Sequence, residues 1–515
     1  MFVKIFGSAV HGVDAITITV EVNWNAQGKE YCIVGLPDPA IKESMQRVES
    51  SIKSIGFEMP RTRILINLAP ADIRKSGTAF DLPIAIGILA ASEQIELPPS
   101  FDKYIMMGEL SLDGVLRPIR GALPIAVSAA RQGFKGFILP SLNCREAALV
   151  QELDTFGMQH LNDVISFITS GGISHEPMRI DLKKEFLDPQ ECIEHDFAEV
   201  RGQENIKRAL EIAASGGHNV ILIGPPGAGK TMLAKRLSSI LPPLTIEEAL
   251  ESTKIHSVAG KHPENTALIT RRPFRNPHHS ISDIALVGGG STPQPGEISL
   301  AHHGVLFLDE LPEFKRTVLE VMRQPIEERK VTISRAKTTI EFPASFMLIA
   351  SMNPCPCGFY NHPERKCHCP PGAVAKYLNK ISGPLLDRID LHVEVTPVTF
   401  SSLSSQTIVE SSTAIRKRVM KAREIQTIRY KEKQGVHNNA HIGPGELKKL
   451  CRLDEAGQLL LKKAMERLNL SARAYDRILK VSRTIADLAG SENILTEHVA
   501  EAIQFRNLDR EGWGG

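Results

Sequence analysis

Three short runs of mostly apolar residues, each ending at glycine or at polar residues, stand out in the hydrophobic pattern of the chain. They cover residues 219–223, 305–308 and 346–352. Runs of this length with breaks on both sides are typical of buried strands in a parallel sheet. Residues 232–240, soon after the first run, are apolar at helical spacing. The pattern therefore predicts an α/β core, which we place at residues 197–398.

The chain on either side of this core has a different pattern. Strand-like and helical segments are mixed over residues 1–170, which predicts an α+β domain. Its predicted strands cover residues 15–22, 31–36 and 63–68, and its predicted helices cover 40–55, 79–91 and 123–132. Residues 171–196 are polar without periodicity and are predicted to be a linker. Residues 399–515 are helical in pattern, with helices predicted at 415–430, 445–451, 454–468, 472–488 and 496–506.

A glycine-rich turn joins the first strand of the core to its helix. The turn reads Gly224, Pro225, Pro226, Gly227, Ala228, Gly229, Lys230 and Thr231, which is the pattern G-x-x-x-x-G-K-[ST]. Glycines let backbone N–H groups close around phosphate oxygens, and the start of the helix adds a favourable partial charge. Lys230 is expected to reach the β- and γ-phosphates of ATP, and the Thr231 hydroxyl is expected to bind Mg²⁺.

Two carboxylates, Asp309 and Glu310, follow the second strand of the core. Ligands bind at this carboxyl edge of a parallel sheet. We expect Asp309 to hold Mg²⁺ and Glu310 to polarise the water that attacks the γ-phosphate. The alternative, a tight turn and a strand that ends in solvated acids, does not account for both motifs together. The sequence therefore predicts an ATPase with ATP and Mg²⁺ as cofactors.

Composition and charge indicate which partners and which cellular compartment to expect for this ATPase. The net charge is only +2 over 515 residues, so nucleic-acid binding must come from local basic patches. No run approaches the ~18–20 apolar residues of a membrane span, and residues 1–6 lack the apolar core of a signal peptide. Eight cysteines, four of them close together, favour a reducing compartment. We expect a cytoplasmic protein with no membrane partner.

The clustered cysteines are Cys355, Cys357, Cys367 and Cys369. These two C-x-C pairs can converge on one Zn²⁺, whose role would be structural because four ligands leave no open position. Each pair is one residue tighter than the usual C-x₂-C, and His362 or His368 could replace one sulfur. The alternative is a loop with four unliganded thiols.

Lys230 and Asp309 are 79 residues apart, more than one βαβ step requires. The surplus includes a segment rich in glycine and proline, residues 271–299, which we expect to be a mobile loop or hairpin rather than core. The histidine pairs 278–279 and 302–303 lie in and after it. Such pairs either bind a metal or, more often, lie in polar loops.

These motifs resemble those of AAA+ ATPases, and the insertion resembles the helix-2 insert of the clade that contains magnesium-chelatase motors and replicative MCM helicases. The resemblance implies that the segment from Val200 to Gln203 borders the adenine, with Val200 as a base contact, and that Asn353, as sensor 1, orients the attacking water. It implies that Arg388 acts on the γ-phosphate of a neighbouring subunit and that Arg473, preferred to Arg477, is sensor 2 in a helical lid. The alternatives are a surface contact between Arg388 and Asp387 and ordinary solvated helix arginines.

Residues 331–342 are predicted to form a β-hairpin with Arg335 and Lys337 at its tip. In the same clade this hairpin points into the pore of a ring. A basic tip there would bind phosphates without reading sequence. The alternative is an ordinary solvated turn. Arg335 and Lys337 are the candidate DNA contacts.

The N-terminal domain resembles the proteolytic domain of Lon-type proteases, in residues 74–81 and 108–121. That domain uses a Ser-Lys dyad, and by its pattern the serine would fall near Ala79 and the lysine near Leu123. Neither side chain can do this chemistry, so the resemblance implies the fold without the activity. A scaffold, or a nucleic-acid-binding or oligomerising platform, is the better interpretation.

The complete order of domains resembles the ComM (YifB) family over essentially the whole chain. This implies a homo-hexameric ATP-driven helicase that binds single-stranded or branched DNA. It would promote branch migration when incoming single strands are integrated during natural transformation. One alternative is a chelatase-type motor that drives metal insertion through a partner subunit, although a fused Lon-like domain is not expected there. The other is an ATP-dependent protease, disfavoured by Ala79 and Leu123.

Overall fold

The computed structural model describes residues 1–25, 31–187, 195–263, 266–290, 292–335, 338–360, 362, 364–397, 409–433 and 435–506, with residues 335 and 338 described as backbone only. Along these ranges the chain forms an N-terminal α/β layer, a second α/β layer with an all-parallel sheet, and a C-terminal group of helices. None of the helices within them is both long enough and apolar enough to cross a bilayer.

The N-terminal domain is built on one seven-stranded mixed sheet. Its strands are β1 (Phe2–His11), β2 (Asp14–Asn25), β3 (Tyr31–Val34), β4 (Arg63–Ala69), β5 (Tyr104–Met106), β8 (Gly136–Pro140) and β9 (Asp154–Met158), with β6 (Glu109–Leu110) and β7 (Leu116–Arg117) as a small separate ribbon. Their order in the sheet is β3-β4-β2-β1-β5-β8-β9. The helices are α1 (Pro39–Ser54), α2 (Asp81–Ala91), α3 (Ala122–Arg131), α4 (Ser141–Ala147) and α5 (Leu161–Thr169).

The strands and helices predicted for this domain are confirmed, with ends shifted by a few residues. Helix α2 is buried along its whole length because ten of its eleven residues are apolar, and it packs on β1 and β2. Its one charged residue, Asp81, forms an ion pair with Arg47 at 2.7 Å. Burial raises the pKa of Asp81 to about 6, although Arg47 opposes this shift. The domain therefore has its own hydrophobic core, as a mixed α/β layer requires.

The ATPase core has a five-stranded parallel sheet. Its elements are α7 (Glu204–Gly216), β10 (Val220–Ile223), α8 (Lys230–Ile240), α9 (Ile246–Ala259), β11 (Phe274–Arg275), α10 (Asp283–Val287), β12 (Gly288–Gly289), β13 (Gln294–Pro295), α11 (Glu297–Leu300), β14 (Val305–Leu308), α12 (Arg316–Val321), α13 (Arg323–Glu328), β15 (Lys330–Arg335), β16 (Thr338–Pro343), β17 (Met347–Met352), α14 (Ala373–Leu378), α15 (Gly383–Leu386) and β18 (Leu391–Glu394). The strand order is β11-β14-β17-β10-β18. All three runs predicted as buried strands are present, and β10, β14 and β17 are fully buried.

The insertion is more integrated into the core than the sequence indicated. Strand β11 pairs in parallel with β14 and forms one edge of the main sheet. Leu286 and Ile298 are fully buried among the apolar residues beneath the β15–β16 hairpin. The expectation that this segment is not core is therefore wrong for these residues, because two apolar side chains spaced far apart in a glycine-rich stretch give no visible periodicity.

The C-terminal helices match the predicted segments closely. They are α16 (Ser412–Tyr430), α17 (Pro444–Leu450), α18 (Glu455–Arg467), α19 (Ala472–Leu488) and α20 (Thr496–Gln504). Their apolar faces join the cluster that also contains α7 and the inner face of β10, so they are packed on the ATPase core.

The segment that connects the first two domains contains a short helix, α6 (Leu182–Leu187), which was not predicted from the sequence.

The N-terminal domain and the ATPase core share a small hydrophobic interface. Leu123 and Leu149 pack there against Leu244, Ala249 and Leu268. The backbone N–H of Gly121 also donates to the carbonyl of Ser257 at 3.1 Å. Leu123 is fully buried. A lysine at this position, as the Lon-type pattern would require, would place an unpaired charge in an apolar interface.

Candidate active site

The phosphate-binding turn lies between β10 and α8, at the carboxyl edge of the parallel sheet. Gly227 and Gly229 have φ values of +78° and +82°, a left-handed conformation that glycine adopts without steric cost. Gly229 is the residue that caps α8, so the helix begins at Lys230. The turn therefore presents backbone N–H groups and a helix start to the same space, as a phosphate site needs.

Lys230 is held over this turn by three acceptors. Its Nζ donates to the carbonyl oxygens of Gly224 and Pro225 at 2.8 and 2.9 Å, and to Oδ1 of Asn353 at 3.1 Å. Burial lowers the pKa of Lys230, and the nearby carboxylates of Asp309 and Glu310 oppose this shift. Asn353 follows β17, so two adjacent strands of the sheet hold one ammonium group at the position where phosphate would bind.

The two residues expected to bind Mg²⁺, Thr231 and Asp309, are in contact. The Thr231 hydroxyl donates to Oδ2 of Asp309 at 2.7 Å. Ser351, from the neighbouring strand β17, donates to Oδ1 of the same carboxylate. A hydroxyl and a carboxylate in contact are oxygen ligands of the kind that Mg²⁺ prefers. Ser351 was not selected from the sequence, and the only available signal was a polar residue within an otherwise apolar strand.

Glu310 has a left-handed backbone with φ of +54°, and its backbone N–H donates to Oδ1 of Asp309 at 3.1 Å. Its side chain is 59% exposed and its Oε2 lies 3.7 Å from Nδ1 of His279 in the insertion. Because of this backbone conformation, the two consecutive carboxylates point in different directions. Asp309 contacts Thr231, whereas Glu310 faces solvent. The carboxylate of Glu310 is thus accessible to solvent.

The segment expected to border the adenine, Val200 to Gln203, ends in a residue that contacts the phosphate turn. Gln203 has φ of +60°, and its side-chain amide donates to the carbonyls of Ala228 and Thr396 at 3.1 and 3.2 Å. It thereby ties the segment before α7 to the phosphate turn. Val200 is 2% exposed and packs in the hydrophobic core that α7 shares with the C-terminal helices.

The four clustered cysteines converge. The sulfur of Cys357 lies 3.3 Å from that of Cys355 and 3.5 Å from that of Cys367, and the sulfurs of Cys355 and Cys367 are 3.8 Å apart. All four sulfurs, including that of Cys369, lie within 4.8 Å of one another. A zinc ion with Zn–S bonds of about 2.3 Å needs tetrahedral S–S edges of about 3.8 Å. The sulfur positions therefore fit one tetrahedral metal ion.

The cysteine loop also touches the phosphate turn. Cys355 is two residues after Asn353. Gly358, with φ of +83°, lies so close to the turn that a Cβ atom there would be 2.5 Å from Cδ of Pro226. The loop is thus connected to the nucleotide site both along the chain and through space.

Arg388 and Arg473 lie at the other edge of the sheet. Arg388 precedes β18, which runs parallel to β10, so it stands at the amino edge whereas the phosphate turn stands at the carboxyl edge. Its side chain is 6% exposed and forms an ion pair with Glu327 at 2.7 Å. Arg473 lies 3.7 Å from Asp387 and is 56% exposed. A four-residue strand separates the two edges by roughly 13 Å.

Arg477, the other arginine considered for the sensor 2 role, is committed to a buried network at this amino edge. It lies 2.9 Å from Asp390, which also accepts the backbone N–H of Asn219. Although burial opposes it, the charge of Arg477 and the neighbouring His218 hold the pKa of Asp390 below its usual range. Arg473, which is mostly exposed, is therefore the freer of the two arginines.

The predicted hairpin is present as β15 and β16, which pair in antiparallel register. At its base Lys330 forms an ion pair with Glu341 at 2.7 Å. The side chain of Arg335 and the whole of Lys337 lie outside the described residues, so their role as DNA contacts stays a prediction.

Of the two histidine pairs, only His302 and His303 join a compact group of potential ligands within the described residues, with Glu251. The His302 Nδ1 accepts the backbone N–H of Ser345 at 3.0 Å, so a neutral ring carries its proton on Nε2, which faces Glu251 at 3.2 Å. With this tautomer, His302 has no free lone pair for a metal, and His303 also contacts Glu251, at 2.7 Å. The group is therefore arranged as a hydrogen-bonded cluster.

Comparison with known proteins gives matches along nearly the whole chain. Family models described as magnesium chelatase, subunit ChlI, as subunit ChlI of Mg-chelatase, and as magnesium chelatase, subunit ChlI C-terminal match residues 196–403, 20–143 and 409–506. Competence protein ComM of Haemophilus influenzae is 44% identical over 98% of this chain and 97% of its own length. YifB of Escherichia coli is also 44% identical, over 98% and 96%. Lon protease 2 of Bacillus subtilis is 33% identical over 27% of this chain and 26% of its own length.

Proposed function

Since the chain belongs to the ComM/YifB family of magnesium-chelatase-like AAA+ proteins, we propose that it is an ATP-driven DNA motor that works as a homo-hexamer. Its substrate is single-stranded or branched DNA. The motor promotes branch migration while incoming single strands are integrated during natural transformation, in keeping with the competence function that the name of the Haemophilus influenzae relative states.

The observation that carries this proposal is the separation of the site's functional groups between two edges of one sheet. Lys230, Thr231 and Asp309 meet at the carboxyl edge, whereas Arg388 and Arg473 lie at the amino edge. Arginine stabilises the charge that develops on a transferred γ-phosphate. Because these two arginines cannot reach the phosphate turn of their own chain, we assign them to the nucleotide of a neighbouring subunit.

The two arginines differ in how readily they can act. Arg473 is more than half exposed and is available to a neighbour without rearrangement. Arg388 must first break its ion pair with Glu327, and its side chain is almost fully buried. We therefore assign Arg473 a standing contact across the subunit boundary and Arg388 a contact that forms when the neighbour binds ATP.

A second candidate function is a chelatase-type motor that acts through a partner subunit, since the matching family models are described as subunit ChlI of magnesium chelatase. Such a motor would use the same nucleotide chemistry. The two functions can be distinguished by what stimulates ATP hydrolysis. DNA should stimulate a DNA motor, whereas a chelatase partner should stimulate a chelatase-type motor.

The purified protein is expected to hydrolyse ATP faster when single-stranded DNA is added and to move the branch point of a three-strand DNA substrate.

Glu310→Gln removes the group that polarises water, so turnover should fall about 100-fold or more while nucleotide binding remains. Lys230→Ala should lose nucleotide binding itself. Full turnover in Glu310→Gln, or a wild-type ATPase rate that no DNA changes, would contradict the assignment.

The hairpin variant Arg335→Ala/Lys337→Ala is expected to weaken DNA binding and to flatten its salt dependence, by about one unit of log–log slope for each phosphate contact removed. Fluorescence anisotropy with a labelled single strand at several salt concentrations measures both effects. Lys330→Ala is the matched control, because Glu341 already neutralises Lys330. An unchanged slope in the double variant would move the DNA contact to the insertion or to the N-terminal domain.

We further propose that Cys355, Cys357, Cys367 and Cys369 hold one structural zinc ion, whose thiolate ligands need the reducing conditions of a cytoplasm. Metal analysis should give one zinc per chain, and Cys367→Ser should lower this content. Nucleotide affinity should fall in the same variant because the loop is packed against Pro226. Cys32→Ser, outside the cluster, is the control, and equal zinc content in both variants would refute the site.

A further inference from the structure

An open groove lies beside Arg388 at the amino edge of the ATPase sheet. Its volume is about 470 Å³, and its walls are helices α12 and α13 and the first strand of the hairpin, β15. Arg388 lines the groove and directly precedes the start of β18, so the groove belongs to the amino edge. It is therefore on the opposite side of the sheet from the phosphate turn.

The walls of this groove carry three glutamates, Glu320, Glu327 and Glu328. Glu320 is partly exposed beside Arg323, and Glu327 is still 46% exposed although it forms an ion pair within its own chain. Glu328 is exposed, and the hydrogen bond that it accepts at 2.8 Å comes from the neutral amide of Gln324. The accessible charge of the groove is therefore mainly negative, which suits a basic partner.

The tip of the cysteine loop carries two basic side chains of this kind. Arg365 and Lys366 are exposed, and neither forms an ion pair with any residue that the structure describes. The guanidinium of Arg365 lies 5.2 Å from the ring centre of Phe359. The backbone N–H groups of Glu364 and Arg365 both donate to Nδ1 of His362 at 3.1 Å, which fixes the turn. Glu364 is the one acidic residue of the loop, so the tip is basic overall.

The loop and the groove lie at opposite edges of the sheet. The loop touches the phosphate turn through Gly358, at the carboxyl edge. In a head-to-tail ring the carboxyl edge of one subunit meets the amino edge of the next. DNA is the other acidic partner that a basic tip could bind. The hairpin that is the candidate DNA contact, however, ends at Pro343 and leads into the start of β17 at the amino edge, away from the loop.

We propose that the tip of the cysteine loop docks into this groove on the next subunit, where Arg365 and Lys366 meet Glu320 and Glu328. The occupant of the groove is thus a second copy of this chain. This inference rests on the proposed homo-hexamer. It adds a contact between the loop beside one nucleotide site and the arginine-bearing edge of the neighbouring subunit.

Charge reversal on each side of the contact tests the docking. The loop variant is Arg365→Glu/Lys366→Glu, and the groove variant is Glu320→Lys/Glu328→Lys. Each variant places like charges together, so the protein concentration needed for half-maximal assembly should rise about tenfold or more. A chain that carries all four substitutions restores opposite charges and should assemble nearly as wild type. Analytical ultracentrifugation of the full-length protein, with Mg²⁺ and a non-hydrolysable ATP analogue, measures the assembly.

The matched control is Lys462→Glu/Lys463→Glu, which reverses two adjacent exposed lysines of α18 and changes the net charge by the same amount. This variant should assemble as wild type. Recovery in the chain with both reversals also excludes misfolding, because two damaged surfaces would not repair each other unless they meet.

Four results would count against these assignments. Unchanged assembly in the loop and groove variants, or no recovery when they are combined, would overturn the docking while the hexamer stands. An equal loss in the lysine control would also overturn it, because net charge alone would then explain the effect. A loop variant that assembles normally but binds a labelled single strand more weakly would make the tip a DNA contact instead. A wild-type protein that stays monomeric with nucleotide and DNA would refute the proposed hexamer itself.

Discussion

The site depends on the parallel register of three neighbouring strands. Because β14, β17 and β10 run in the same direction and end together, Asp309, Asn353 and the phosphate turn meet at one edge of the sheet. The ammonium of Lys230 then links two of the strands, and the carboxylate of Asp309 links the turn to the third. A strand displaced by one residue would turn these side chains to the wrong face of the sheet.

The other functional elements lie at one or the other edge of this sheet. The cysteine loop and Gln203 brace the carboxyl edge, next to the phosphate turn. Arg388, Arg473 and the buried Asp390 network belong to the amino edge. One chain therefore carries a phosphate site on one side and cationic groups on the other, an arrangement that a head-to-tail ring would complete. The N-terminal domain is packed on the same core through Leu123.

Much of this could be predicted from the sequence because the relevant signals are local. The phosphate turn, the two carboxylates and the helices of the C-terminal region are each encoded within a few consecutive residues. The remaining features depend on contacts between distant segments. Ser351 is an ordinary serine until the sheet places it beside Asp309, and His279 is 31 residues from Glu310. Buried Leu286 and the pairing of Arg388 with Glu327 depend in the same way on how the insertion and the hairpin pack.

The central claim is that each nucleotide site is shared by two subunits, and a subunit-mixing experiment tests it most directly. One variant is Lys230→Ala, which lacks the phosphate site, and the other is Arg388→Ala/Arg473→Ala, which lacks the cationic groups. Each is expected to be inactive alone, whereas mixed rings should recover ATPase activity wherever an intact phosphate turn meets intact arginines. A chain with all three substitutions, mixed with itself, is the control. If the mixture hydrolyses no more ATP than the separate variants, the shared-site account is contradicted.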